Sequence, residues 1–519
     1  MASAEDFAIG RAGPTAPQGR SGPGSSALAG LCAVLTFVGL FGCANSSPFN
    51  QKFVEVRTAN FHVISSLGEE QTRVLARDLE VFHAGVMAAL GLDPDLTRSR
   101  PTEVIAFDGR GLSRPFSVRG AGASLIPTID GPVLMIRAVG GFRERVDPDT
   151  RHRYAHRILR DLSKAQAPLW YEEGRAQIAA TIEQSGDVVL VGRSRGRHRR
   201  KLLDWRHQDL SGAMERHSLA HASDADRERF QARTWAIVHT LLFDSPKKRD
   251  GMRALDSVRR AFESDQPRQL LEATRALGEG SELTARIYAH LEEERHRVDR
   301  FQLGGLQLAD FELQRVPPVV ARDRLANLAL DLGRPLLAAE YFERALRDRP
   351  DYPPSLAGLV LADALAGRAD RIDERAEQVA TYADSDAVAS SRLGLALVVS
   401  AVDLPAGRER ESRLHSAREL LERSLQLEPG RSQARIGMGM SFLAAQDDPD
   451  RAREFFEAVQ RERPGALELE LWLARVQLQL GRPNGARSHL AVAISRSHSR
   501  LIRKAAEEMY EEIEAQSEH

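Results

Sequence analysis

Arg151-His152-Arg153-Tyr154-Ala155-His156, followed by Pro168-Leu169-Trp170-Tyr171-Glu172-Glu173-Gly174, is the stretch on which the reading of this chain turns. On an α-helix, residues four apart share a face, so His152 and His156 can present their ring nitrogens to one point. Two imidazoles hold a divalent ion poorly. Glu173, near the start of a second helix after a short connection, can supply a third ligand. The residue after the first histidine is Arg153, a permanent cation. Unit charges about 4 Å apart interact by about 4 kcal/mol at an effective dielectric near 20, and a doubly charged ion doubles that. Arg153 therefore opposes metal binding unless its side chain turns away.

Working outward, short apolar runs alternate with helical patterns. Phe53 to Ser66, Val104 to Phe107, Val133 to Ile136 and Val188 to Val191 have strand character, and Glu69 to Leu90 reads as an amphipathic helix ending before Gly91. Past Trp235 the pattern is helical to about Arg295. Strands followed by helices predict an α+β domain over residues 53–295, then a linker over 296–320.

From about Arg322 the chain repeats itself. Gly333, Ala338, Phe342, Ala345 and Pro350 have the spacing of the tetratricopeptide signature, and Gly367 follows Gly333 by 34 residues. Ala417, Leu421 and Pro429 continue the pattern, then Ala452, Phe456 and Pro464, then Gly481, Ala486, Leu490 and Ala493. Each such unit is a helix pair that cannot bury its apolar face alone, and small residues at fixed offsets let neighbours stack. The expectation is an all-α solenoid over 321–497, with a capping helix and tail over 498–519. Ile372 makes the second copy degenerate, and the segment from Val402 to Glu411 reads as an insertion that breaks the third.

The histidine-containing string resembles the peptidase-MA-like gluzincin metallopeptidases of bacteria, in which a His-Glu-x-x-His helix precedes a Pro-x-Trp-x-x-Glu-Gly helix. The resemblance covers about Phe53 to Arg295, and the helix around Thr234 to His239 falls where the family has one. Many members carry tetratricopeptide repeats. The resemblance implies an α+β gluzincin-like domain with His152, His156 and Glu173 as zinc ligands. It also implies that Arg153 stands where the general base should be, and losing such a base costs roughly 10²–10⁴ in rate. Two other positions depart from the family pattern: Phe230-Gln231 where a tyrosine is common, and Gln177 where an acid is common. The expectation is a catalytically inactive, metal-free domain with no catalytic residue assigned, in which Arg153 could pair with Glu173. The alternative is an active zinc peptidase, for which Glu172 is the only nearby substitute base.

The N-terminal residues suggest an address. An apolar run from Ala27 to Phe41, after a lead containing Arg11 and Arg20, ends Leu40-Phe41-Gly42-Cys43 and resembles a bacterial lipobox. This is shorter than the ~20 apolar residues of a membrane span. Residues 1–43 are thus expected to be a signal peptide with Cys43 lipidated, and 44–52 a tether. Ala44 would permit sorting to the outer membrane, facing the periplasm. Cys32 and Cys43 are the chain's only cysteines, so the remainder has neither disulfides nor cysteine metal sites. With 519 residues, 42% hydrophobic, 28% charged and a net charge of −1, the chain has no global pull towards nucleic acid. The basic run Arg193 to Lys201 lacks aromatic interleaving and reads as a solvated loop. The expected partners are a protein or peptide on the repeats and a membrane through the lipid, with no nucleic acid.

Overall fold

The computed structural model describes residues 51–517 except 93–99, 110–113, 117–122, 139–145, 164–165, 187, 206–207, 245–247, 265, 279, 294–295, 303–310 and 369–370. Cys43 and the lipobox lie outside the described residues. No described helix is long and apolar enough to cross a membrane.

Six strands form a mixed sheet: β1 (Phe53–Arg57), β2 (Phe61–Ser65), β3 (Thr102–Asp108), β4 (Ala123–Ile126), β5 (Val133–Ala138) and, far along the chain, a strand at Leu313–Val316. Strands β2, β3 and β5 run parallel at its centre, and the far strand closes the edge beside β1. Alternation with period two decides which side chains go where. Phe61, Val63, Val104, Ala106, Leu134 and Ile136 point to one side, into a core shared with the helices of the domain. Ile64, Ile105, Phe107, Val133 and Met135 point to the other. Both faces are apolar, so both must be covered.

On the first face lie α1 (Glu69–Leu90), α2 (Pro148–Leu162) and α3 (Leu169–Ala179), followed by β6 (Glu183–Ser185), β7 (Val188–Val191) and α4 (Gly196–Asp204). The domain continues through α5 (Asp224–Phe243), α6 (Lys248–Glu263), α7 (Pro267–Arg275) and α8 (Gly280–Glu292). The segment expected as a linker instead carries two strands. β8 (Asp299–Gln302) pairs with β7, and β9 (Leu313–Val316) is the far edge strand of the main sheet. The alternation in these strands is too short to stand out in the sequence, and pairing with a distant partner stabilises them.

Ten helices then form five antiparallel pairs: α9 (Pro318–Asp331) with α10 (Pro335–Asp348), α11 (Pro353–Leu365) with α12 (Ile372–Ala383), α13 (Ala387–Val402) with α14 (Arg408–Leu427), α15 (Ser432–Ala445) with α16 (Pro449–Glu462), and α17 (Leu469–Gln479) with α18 (Pro483–Arg496). Helix α19 (Arg500–Ser517) caps the stack. Gly333, Gly367 and Gly481 end the first helix of their pairs at φ 66°, 71° and 69°, where a Cβ would be strained. Gln446 takes that place in the fourth pair at φ 57°. The insertion does not break the third pair. It lengthens it, to helices of 16 and 20 residues.

The second face of the sheet is covered by the array itself. Phe107, Phe116 and Met135 share one core with Leu325, Ala329, Tyr341, Phe342 and Leu359 from the first repeats. The far end of the array returns to the domain by polar contacts. Arg463 donates to the carbonyls of Ile129 (2.6 Å) and Thr128 (3.1 Å), and Arg227 donates to Ile494 O at 3.0 Å.

Candidate metal centre

Helix α2 begins cleanly because the Asp147 side chain accepts from Thr150 N at 2.8 Å and Pro148 occupies the first turn. Tyr154, Ala155 and Ile158 bury its apolar face, and the Tyr154 hydroxyl meets His83 Nδ1 at 3.0 Å. That orientation turns His152 and His156 towards α3. Helix α3 is buried along its whole length and crosses α5 very closely. A Cβ on Gly174 would stand 2.7 Å from Thr234 O and 2.5 Å from Val238 Cγ2, so glycine must follow Glu173 if the helix is to sit there.

The three expected ligands come together. His152 Nε2 lies 3.0 Å from Glu173 Oε1, and His156 Nε2 lies 3.2 Å from Glu173 Oε2. The two Nε2 atoms are 3.0 Å apart. A fourth group joins them: His498, between α18 and α19, has Nε2 3.7 Å from Glu173 Oε2. Its ring centroid is 4.8 Å from that of His152 and 4.5 Å from that of His156. One donor atom from each of the four falls within 4.8 Å of the others. Zinc ligands at about 2.0–2.1 Å in a tetrahedron stand about 3.3–3.4 Å from one another. The separations of 3.0 to 3.7 Å about Glu173 bracket that spacing, and all four donor atoms lie within 4.8 Å of one another.

Glu172 is placed behind the cluster. Its Oε1 lies 2.6 Å from His156 Nδ1 and accepts from Arg160 Nε at 2.6 Å, while Oε2 takes the Arg496 guanidinium. A carboxylate can only accept, so His156 Nδ1 carries a proton and Nε2 is left facing Glu173 and His152. A carboxylate so placed fixes the imidazole's orientation and tautomer, as outer-shell carboxylates do at metal sites. Both oxygens of Glu172, the candidate substitute base, are thus engaged by other groups. Gln177 Nε2 donates to Glu173 Oε1 at 2.8 Å, and Arg195 binds the Gln177 carbonyl. An acid at position 177 would repel Glu173; the amide supports it.

The expected Arg153–Glu173 ion pair is not formed. Glu173 is occupied by His152, His156 and Gln177, and among the described residues Arg153 has no ionic partner. Arg153 is half-buried and lines two cavities. One, of about 190 Å³, is bounded by Asp149, His152, Gln177, Arg195, His198, Gln231 and His498. The other, of about 570 Å³, lies between α2 and the inner side of the array.

Burial by itself would raise the Glu172 carboxyl, but Arg160, Arg496 and His156 outweigh it and hold it far below the usual range. Glu173 is likewise well below, since the charges and hydrogen bonds of His152 and His156 overcome its burial. His156 is raised: burial lowers it, but hydrogen bonds to Glu172 and Glu173 prevail. Burial lowers His152, against the pull of Glu173, and lowers His498 well below its ordinary value with help from His156 and His152. His198 falls to about 3, through burial and then Arg195.

Arg195, His198, Arg496 and His498 were not legible as site residues. Arg195 and His198 lie in the basic run read as a solvated loop, yet His198 is buried. Ser497-His498-Ser499 carries no motif, and only the return of the array to the domain brings it here.

Residues 443–503 match the tetratricopeptide repeat family. Among solved structures, the thermophilic tetratricopeptide-repeat protein TTC0263 of Thermus thermophilus is 21% identical, with a TM-score of 0.33, covering 37% of this chain and 98% of its own. No curated protein matches the chain. The matched residues lie within the last helix pairs of the array, and tetratricopeptide repeats generally bind protein partners.

Proposed function

We propose that this protein is a lipid-anchored interaction scaffold of the bacterial envelope whose gluzincin-like domain is catalytically silent. The observation that carries the reading is the split fate of the site: the ligands converge, while the base position is Arg153 and the substitute carboxylate is locked. Glu172 cannot take a proton from water while Arg160, Arg496 and His156 hold it. If zinc is bound, His152, His156 and Glu173 would hold it, and it would supply Lewis acidity. Arg153 leaves that acidity without a proton acceptor.

The first repeats of the array share a core with the sheet, so part of the array's surface is already occupied. The cavity of about 570 Å³ remains open to a partner, between Arg324 and Asn327 of α9, Arg392 of α13 and Arg157 of α2. Apart from Arg153, its arginines are matched by acids, among them Arg157 with Asp161 at 3.0 Å, Arg324 with Glu103 at 3.0 Å, Arg392 with Asp323 at 2.7 Å and Arg463 with Glu468 at 2.7 Å. Such a balanced lining suits a polar peptide segment better than a polyanion, which argues for a protein partner and against nucleic acid.

The test is a hydrolysis assay on a broad peptide library with zinc supplied, comparing the natural chain with Arg153→Glu and His152→Ala. No cleavage by the natural chain is expected. Chelator-sensitive cleavage that His152→Ala abolishes would overturn the reading. Anchoring is tested separately: Cys43→Ser should move the protein from the membrane to the soluble fraction.

A further inference from the structure

We propose that His498 is the fourth ligand of a closed, structural zinc site that fastens the C-terminal end of the tetratricopeptide array onto the domain. This rests on the reading of His152, His156 and Glu173 as a retained ligand set. The fourth ligand comes from the array, more than 300 residues further along the chain. The loop that carries it is held to the domain just before the histidine, at Ser495 and Arg496. Arg496 Nη2 donates to Ala167 O at 2.7 Å and its Nη1 meets Glu172, while Arg160 Nη2 donates to Arg496 O at 2.9 Å. The Ser495 hydroxyl accepts from Leu219 N at 2.8 Å. His498 is therefore delivered to the cluster by a braced backbone.

Coordination chemistry separates the two uses of such a cluster. A catalytic zinc keeps a position for water or substrate, whereas a structural zinc is enclosed by four protein ligands. Three imidazoles and one carboxylate fill the tetrahedron and leave no place for an attacking water. The ligand set and its Glu172 support are present, the base is absent, and the open position is filled from the array. All three features agree with conversion of a reaction centre into a clasp. Without a cation, the Nε2 atoms of His152 and His156 would face each other at 3.0 Å beside a third imidazole, and one proton can bridge only one pair.

The experiment uses the full chain, purified without chelator, as wild type, His498→Ala, His498→Cys and His152→Ala. Bound zinc is measured after dialysis against a competing chelator of known affinity, and the electronic spectrum is recorded after cobalt(II) substitution. Wild type should hold one ion per chain and give the intense spectrum of four-coordinate cobalt. His498→Ala should weaken binding by at least about 10-fold, the lower end of what even outer-shell losses cost. His498→Cys should restore affinity and add a thiolate-to-metal band, which places residue 498 on the metal directly. If His498→Ala keeps wild-type affinity and spectrum while His152→Ala loses the ion, the fourth-ligand proposal fails and the three-ligand reading stands. A folded wild type that holds no ion overturns both.

Discussion

The array grips the domain at two ends by opposite chemistry. At its first repeats, Tyr341, Phe342 and Leu325 merge with Phe107, Phe116 and Met135 of the sheet into one apolar core. At its last repeat the contact is made by Arg496, Arg463, Arg227 and His498, almost wholly through charge and hydrogen bonds. The first grip depends on area removed from water and is indifferent to pH or metal. The second is conditional, because each of its partners can be titrated, screened or chelated. A repeat solenoid fixed at one end and conditionally fastened at the other can answer its surroundings without unfolding.

The largest effect should come from breaking the apolar grip. Phe342 is fully buried, so Phe342→Ala should cost about 3–5 kcal/mol. Denaturant melts should show the loss as a lower midpoint for the whole chain. Breaking the polar grip should cost less and act locally. Arg496→Ala leaves Glu172 with Arg160 and His156, so a loss of about 1–3 kcal/mol is expected. It should appear as faster amide exchange in α18 and α19, with the sheet unchanged.

Acid should mimic that second break. The Glu172 carboxyl is depressed in the folded chain, so its contribution is fully present above the ordinary carboxylate range and is lost as pH falls through the folded value. His156 has the opposite sign: its value is raised, so its contribution in metal-free protein is complete below about 6.5 and fades as pH rises beyond. His152 and His498 are lowered by burial, so their contribution is complete above about 6.5 and fades as pH falls below it. The metal-free polar grip should therefore be tightest near neutral pH and loosen on both sides, as amide exchange across pH 3 to 9 would reveal. The smallest effect belongs to the Arg227–Glu507 pair at 3.6 Å, whose carboxylate is about half exposed. Glu507→Ala should cost under about 1 kcal/mol and vanish at high salt.

Legibility in the sequence follows the same divide. The repeats were visible because stacking demands small and aromatic residues at fixed offsets, as Ala338, Phe342 and Ala345 show. The cluster of His152, His156 and Glu173 was visible because a helix face and a close helix crossing impose spacing. The role of Glu172 was missed because one residue's distance from a ligand does not reveal which charges surround it. β8 and β9 were missed because their stability comes from strands over a hundred residues earlier. His498 was missed for the same reason at longer range: nothing local distinguishes it, and its meaning comes from where the array returns.

The most direct test of the two-grip account is amide exchange of the full chain with and without a zinc chelator at neutral pH. The account predicts faster exchange in α2, α3, α18 and α19, with β1 to β5 and α9 to α11 unaffected. Unchanged exchange around His498, or a uniform rise through the sheet as well, would contradict it.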